Sequence, residues 1–203
     1  VYGRQGAGTN IVFSSGNQAF EGDDSAATPF TNSQYVIVVG GYSKPEAKND
    51  AYGPNIFEFA SQGSTVLVSA PATDYLSPYA GNIKVSGSDL SASNHNINMH
   101  GTSFGTPAVS AIIALMLEAN PYLGFRDVQD ILAYSAIPNP KTFSTNHSTN
   151  WNGGGLLFNK QYGFGVLDAK AAVRLAETWD SVHTFENYNQ TFSLPQQFIQ
   201  LMK

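Results

Sequence analysis

The sequence predicts an α/β fold with a parallel central sheet. Two observations lead to this prediction: three short apolar runs, each ended by small or turn-forming residues, and one later helix that is apolar on every side. A run that is continuously apolar, without alternation, is typical of a strand covered on both faces, as in parallel sheets. A helix without a polar side must be surrounded by protein. We therefore expect the sheet and this helix to form the centre of one domain.

The predicted strands all lie in the first third of the chain. They are residues 11–13, 35–39 and 65–68. Each is rich in β-branched residues, which favour strands. The first stops at Ser-Ser-Gly-Asn, the second at two glycines and the third at Ser-Ala-Pro. We expect all three strands to be parallel and buried on both faces.

The predicted helices follow later in the chain. The first is 103–120 and stops before Pro121, since a residue that precedes proline disfavours the helical conformation. The second is Phe125–Ser135, and the third is 168–179, with Asp168 as its N-cap. The polar stretch 139–155 is predicted to be a loop. Residues 1–179 then form one unit, and 180–203 are a linker or the start of a following P-like domain.

Composition excludes several classes of function. Charged residues make up 12% of the 203 residues, about half of the usual share of about 25%. The net charge of −5 gives no support for binding a phosphate backbone. The longest apolar run, 108–117, is shorter than the roughly 20 residues that cross a bilayer. Cysteine is absent, so no thiolate nucleophile or disulfide is available. We expect neither a nucleic acid nor a membrane as partner.

The chemistry-bearing segment is residues 100–107, with the sequence His-Gly-Thr-Ser-Phe-Gly-Thr-Pro. It puts Ser103 directly before a predicted buried helix. A helix N-terminus offers unpaired N–H groups and a partial positive charge. A serine there can attack a carbonyl beside donors that hold the resulting oxyanion. The alternative is an ordinary serine cap.

These residues also carry a family resemblance. Gly-Thr-Ser-x-(Ala/Gly)-x-Pro at 101–107 resembles the nucleophile signature of the subtilisin-like serine proteases, and Ser-Ser-Gly-Asn at 14–17 is similar to their oxyanion segment. The stretches 117–129 and 162–169 are similar to the kexin and proprotein-convertase branch. The resemblance implies the C-terminal part of a subtilisin-like three-layer α/β catalytic domain.

The resemblance further implies a serine endopeptidase that hydrolyses peptide bonds through an acyl-enzyme. Ser103 would be the nucleophile, and Asn17 would lie in the oxyanion hole. The family's aspartate and histidine motifs precede the serine and do not occur in this sequence, so an N-terminal half carrying both is the expected partner. The expected substrate is a peptide or protein. One alternative is a catalytically dead binding protein of the same fold, and another is an α/β domain for a small ligand.

The resemblance also implies a structural calcium ion near the substrate pocket. Asp23, six residues after Asn17, matches a convertase calcium ligand, and Glu21 and Asp24 lie beside it. Carboxylate oxygens suit Ca²⁺, although a solvated acidic turn would have the same sequence. Abundant Ser, Asn and Gly, scarce Lys and absent Cys lead us to expect a secreted or extracellular protein of bacterial origin.

Overall fold

The computed structural model describes residues 3–43, 55–56, 59–73, 75–78, 96–138 and 154–181. Its architecture is α/β, as the sequence predicts. The strands are β1 (Ile11–Ser14), β2 (Val36–Ser43), β3 (Asn55–Ile56), β4 (Val66–Pro71), β5 (Tyr75–Pro78) and β6 (Asn96–Met99). The helices are α1 (Thr102–Ala119), α2 (Phe125–Ser135) and α3 (Ala169–Glu177).

The three predicted strands form the parallel part of one sheet, with β2 in the middle. Strand β1 pairs with one edge of β2, where Phe13 lies opposite Val38. Strand β4 pairs with the other edge, and the register shifts after Val38. The short β3 runs antiparallel to the end of β2. The carboxyl ends of β1, β2 and β4 consequently lie on the same side of the sheet.

The three helices enclose the core on one face of this sheet. Because strand side chains alternate between faces, Ile37 and Val39 point towards the helices and Val38 points away. The face of α2 predicted to be apolar, with Val128 and Ile131, is fully buried. The residues that form this core are Ile37, Val39, Val68, Ala70, Val109, Ile113, Met116, Leu123, Val128, Ile131, Leu132, Ala172 and Ala176.

Two burial predictions are wrong for the described residues. Strand β1 is not covered on both faces, since Ile11 is 43% and Phe13 is 38% exposed. Helix α1 is not buried all round, since Leu115 is 50% exposed. The physical reason is the same in both cases. The described helices pack on one face of the sheet and Ile11 and Phe13 point to the other face, while α1 packs on the sheet with only one of its sides.

Helix α1 is the one helix in the described ranges that is long and apolar enough to cross a membrane by length and composition. Its buried residues, which include Val109, Ile113 and Met116, pack instead against the sheet and the other helices.

The antiparallel pair β5–β6 was not predicted from the sequence. Its register places Tyr75 opposite Met99. The signal for β6 is the alternation Asn-Ile-Asn-Met at 96–99, which has the period of a strand. This strand leads the chain directly into α1.

Buried polar side chains fasten the last described residues to the rest of the domain. Asp127 is 4% exposed and accepts hydrogen bonds from Gly124 N at 2.7 Å, from the Trp179 indole at 3.2 Å and from the Ser181 hydroxyl at 2.5 Å. Asn120, at the end of α1, donates to the Trp179 carbonyl oxygen at 3.1 Å. The exit of the chain is thus held by α2 and by the end of α1.

The third helix begins as predicted, because the Asp168 side chain accepts from the Ala171 N–H at 2.9 Å. Most of the predicted loop 139–155 and of the segment 180–203 lies outside the described residues. The domain boundary after residue 179 stays a prediction.

Gly163 lies in a turn whose backbone packs against β4. Its φ is +67°, and an added Cβ would lie 2.1 Å from the Leu67 carbonyl oxygen. We expect Gly163→Ala to lower the free energy of unfolding by about 2–5 kcal/mol, because left-handed strain of about 1–2 kcal/mol adds to overpacking of about 1–3 kcal/mol. The control is Gly155→Ala, with φ +88° but no atom within 4 Å of the added Cβ. Thermal unfolding of the full-length protein measures both, and equal losses would contradict the prediction.

Candidate active site

Asn17 follows the carboxyl end of β1, where the chain leaves the sheet. Ser15 still bonds to β2, since its N–H donates to the Val39 carbonyl at 2.9 Å. Gly16 then takes a φ of +111°, a conformation that favours glycine. This turn carries the Asn17 side chain over the start of α1.

Two donors of Thr102 hold the Asn17 carboxamide. The Thr102 N–H donates to Asn17 Oδ1 at 2.9 Å, and the Thr102 hydroxyl lies 3.0 Å from the same oxygen. That hydroxyl is also 3.2 Å from the Gly16 carbonyl oxygen, so its single proton is shared between two acceptors. Thr102 is fully buried. The end of β1 and the first residue of α1 are therefore bonded directly.

These contacts decide which end of the carboxamide is available. Both Thr102 groups need an acceptor, so the amide oxygen faces Thr102 and the two N–H bonds of Nδ2 point elsewhere. An added Cβ on Gly101 would lie 3.5 Å from Nδ2. Gly101 also has a φ of +142°, so the glycine before Thr102 both fits the backbone and leaves room for the amide.

Ser103 is the second residue of α1, and it is exposed. The first four N–H groups of a helix have no acceptor within it, so the Ser103 N–H is available to an outside group. The positive end of the helix dipole is at the same position. The structure thus brings Asn17 against the residue that precedes Ser103. An exposed hydroxyl, a backbone donor and an amide donor collect at one end of the sheet.

Aromatic side chains pack around the first turn of α1. The ring of Phe104 stacks on that of Tyr75, with centroids 5.4 Å apart. The Tyr75 hydroxyl donates to the Pro71 carbonyl oxygen at 3.0 Å. Burial raises the pKa of the Tyr75 hydroxyl, and burial together with Tyr75 raises the pKa of Tyr42. Both tyrosines are therefore neutral at physiological pH.

The described histidine next to this site is His100. It is exposed and its ring stacks on Phe59, with centroids 6.4 Å apart. It lies directly before the glycine that opens α1. The other three histidines, His95, His147 and His183, lie outside the described residues.

The predicted calcium ligands do not converge. Asp23 Oδ2 accepts from the Ser61 hydroxyl at 2.6 Å, and Asp24 Oδ1 accepts from the Ala26 N–H at 2.8 Å as the cap of a 3₁₀ turn. Glu21 is exposed. In the described ranges, no three acidic or histidine side chains are grouped as a metal site. These carboxylates alone do not fit the donor set that Ca²⁺ needs, and Asp23 as a ligand stays a prediction.

The sequence motifs pointed to Asn17 and Ser103, whose catalytic roles stay predictions, but they did not point to Thr102, which bonds to Asn17. A threonine beside the serine is visible in the Gly-Thr-Ser string, yet its partner follows a strand that is remote in the sequence.

Comparison with known protein families identifies the family of this chain. The model of the subtilase family, Peptidase S8, matches residues 1–165. The chain belongs to the subtilase family.

The relatives of this subtilase chain are kexin-like proteases. They confirm the predicted kexin and proprotein-convertase branch of the family. The chain is 34% identical over 188 residues to a dibasic-processing endoprotease of Yarrowia lipolytica, and the match covers 92% of this chain and 18% of that protein. It is 36% identical over 185 residues to human proprotein convertase subtilisin/kexin type 6, covering 89% of this chain and 17% of the convertase. The chain thus spans less than a fifth of the length of these relatives.

Solved structures show the same fold. The serine protease of Aeromonas sobria has a TM-score of 0.66 at 21% identity, and the match covers 88% of this subtilase chain and 38% of that chain. Fervidolysin from Fervidobacterium pennivorans has a TM-score of 0.57 at 20% identity, covering 82% of this chain and 22% of that one. The predicted subtilisin-like α/β fold is confirmed.

The predicted bacterial origin is wrong. The curated relatives come from yeast, human, worm and rat, which points to a eukaryotic protein. Scarce lysine and absent cysteine describe charge and redox chemistry, and they carry no information on lineage.

We expect Thr102→Val to lower the free energy of unfolding by about 0.5–1.5 kcal/mol, the net contribution of one hydrogen bond. The loss stays small because both acceptors keep another donor: Asn17 Oδ1 keeps the Thr102 N–H, and the Gly16 carbonyl keeps the Ser61 N–H. Thr102→Ser retains the hydroxyl and is the control. Chemical denaturation of the full-length protein measures both, and a Thr102→Val variant as stable as the parent would contradict this prediction.

Proposed function

We propose that this chain is the C-terminal part of the catalytic domain of a serine endopeptidase, with Ser103 as nucleophile and Asn17 as an oxyanion donor. The observation that carries the proposal is the pair of hydrogen bonds from Thr102 to the Asn17 carboxamide oxygen. It turns the amide N–H groups away from Thr102, at the same end of α1 as the Ser103 hydroxyl. The substrate class is peptides or proteins.

The reaction is peptide-bond hydrolysis through an acyl-enzyme. Ser103 Oγ forms a bond to the carbonyl carbon of the scissile peptide, and its proton passes to a histidine supplied by the N-terminal half. The oxyanion accepts hydrogen bonds from the Ser103 N–H and from Asn17 Nδ2. The C–N bond then breaks, and the amine leaves with the histidine proton. Water hydrolyses the ester by the same steps in reverse.

The N-terminal half belongs to the proposal because an apolar row runs along the exposed side of α1. Pro107, Ala111 and Leu115 recur at helical spacing on the exposed side, and this row begins at Ser103. Strand β1 is also uncovered: on the sheet face opposite α1, Phe13 and the 70% exposed Phe30 stack with ring centroids 6.1 Å apart. A segment that covers this row, and that pairs with the open edge of β1, can bring a histidine to Ser103.

A catalytically dead binding protein of the same fold is the competing hypothesis. It needs no donor at position 17 and no exposed serine at the helix start. The combination of both favours the enzyme, and labelling of the serine separates the two hypotheses.

In the full-length protein, a fluorophosphonate probe should label Ser103, and Ser103→Ala should abolish both labelling and peptide hydrolysis. Asn17→Ala should lower kcat by about 10²–10³ with little change in KM, since this is the loss measured for the corresponding donor of a subtilisin. The reason is that the donor bonds the transition state more strongly than the substrate.

The control for Asn17→Ala is Asn10→Ala, a change of the same side chain at the other end of β1, where no role in the reaction is proposed. Absence of labelling at Ser103, with a known subtilase labelled in parallel, would favour the dead binding protein. Equal kcat for Asn17→Ala and Asn10→Ala would remove Asn17 from the oxyanion hole.

The exposed side of α1 gives a second test. In the full-length protein, Leu115→Lys should cost about 2–5 kcal/mol of stability, the range for losing a buried leucine. Tyr122→Lys should change stability by less than about 0.5 kcal/mol, because Tyr122 lies on the loop after α1 and is 66% exposed. Melting curves measure both. A Leu115→Lys variant as stable as Tyr122→Lys would show that nothing covers this side of α1.

A further inference from the structure

Ser61 lies next to the loop that carries Asn17, and the proposed reaction does not use it. The residue is 1% exposed. Its N–H donates to the Gly16 carbonyl oxygen at 3.0 Å, and its hydroxyl oxygen accepts from the Gln18 N–H at 3.2 Å. Ser61 thus bonds to the backbone on both sides of Asn17.

Asp23 fixes the direction of the Ser61 hydroxyl. The Ser61 O–H donates to Asp23 Oδ2 at 2.6 Å. A hydroxyl has one proton and two lone pairs, so donation to Asp23 leaves the lone pairs for Gln18. The carboxylate belongs to the same turn as Asn17, and the turn is therefore tied to Ser61 at three points: Gly16, Gln18 and Asp23.

Close packing leaves this loop little room to move. A Cβ added to Gly16 would lie 2.7 Å from Ser61 Oγ and 2.9 Å from Asp23 Oδ2. The Ala19 N–H donates to the Phe59 carbonyl oxygen at 3.2 Å, which extends the attachment by one more bond. The Asn17 side chain is thus held by Thr102 at its oxygen and by Ser61 through its backbone.

We propose that Ser61 is a positioning residue of the oxyanion hole, which holds the Asn17 backbone through Gly16 and Gln18 while Asp23 orients its hydroxyl. This inference depends on the proposed function, because positioning matters only if Asn17 bonds the transition state. A donor displaced by about 1 Å can cost about 10²-fold in rate. Asp23 acts in this arrangement as a hydrogen-bond acceptor.

The first test compares two buried serines in the full-length protease. Ser61→Ala removes the hydroxyl and its bond to Gln18, and Ser61→Thr retains a hydroxyl. The matched control is Ser25→Ala: Ser25 is fully buried and its hydroxyl bonds to Thr65 Oγ1 at 2.8 Å, with no bond to residues 16–18. We expect Ser61→Ala to lower kcat about 10-fold or more at unchanged KM, Ser61→Thr to recover much of it, and Ser25→Ala to leave kcat unchanged.

A second readout separates positioning from a loss of folded enzyme. Active-site titration with a fluorophosphonate gives the concentration of competent enzyme, and rates are divided by it. A peptide boronate, whose adduct with Ser103 is tetrahedral, should bind Ser61→Ala more weakly by the same factor as the fall in kcat. A product peptide that forms no oxyanion should bind equally well to variant and parent.

The third test concerns Asp23. Asp23→Ala should lower kcat as Ser61→Ala does, and the double variant should lose no more than either single variant, because both break one connected set of bonds. Additive losses would contradict the coupling. Asp23→Asn keeps an acceptor oxygen for the Ser61 hydroxyl and should retain most of the activity.

The inference is overturned if Ser61→Ala and Ser25→Ala have the same kcat per titrated site, or if boronate and product affinities fall equally. Those results leave the proposed function intact, since the parent enzyme still hydrolyses peptides. A parent protein that neither labels nor hydrolyses overturns the proposed function itself.

Discussion

The candidate site depends on one interaction, the bonding of the Asn17 carboxamide oxygen by Thr102. It joins the end of a strand to the start of a helix that the chain reaches much later. It also satisfies the first N–H of α1, which has no acceptor within the helix. The same two contacts that complete the helix end orient the amide. The helix start, the strand end and the orientation of the Asn17 amide therefore depend on the same contacts.

Local sequence predicted the parts of the fold that depend on neighbours in the chain. The strands β1, β2 and β4 and the helices α1, α2 and α3 were found from apolar runs and caps, with bounds that differ by a few residues. Ser103 and Asn17 were candidates because one lies at the start of a predicted helix and the other directly follows a predicted strand, and their catalytic roles stay predictions. The side chains that contact Asn17 and its loop could not be predicted from local sequence, since Thr102 and Ser61 act through hydrogen bonds to residues remote in sequence.

Burial was the property that sequence patterns predicted least well. An apolar residue such as Phe13 or Leu115 shows that a surface needs cover, but it does not show which chain covers it. In the described structure these side chains are exposed because α1 and β1 have partners on one side only. The aspartates illustrate the same point for polar groups. Three neighbouring carboxylates suggested one ion, whereas Asp23 and Asp24 each bond to a different part of the backbone and side-chain network.

The bonds at Asp127 and Asn120 have a mechanical consequence for whatever is attached beyond Ser181. A pull on that end of the chain acts first on α2 and on the last turn of α1. Helix α1 has 18 residues, so the pull enters roughly 25 Å from Ser103, at a rise of about 1.5 Å per residue. A force on this end of the chain therefore acts on α2 and on the end of α1 that is farther from Ser103. It does not act directly on the loop that carries Asn17.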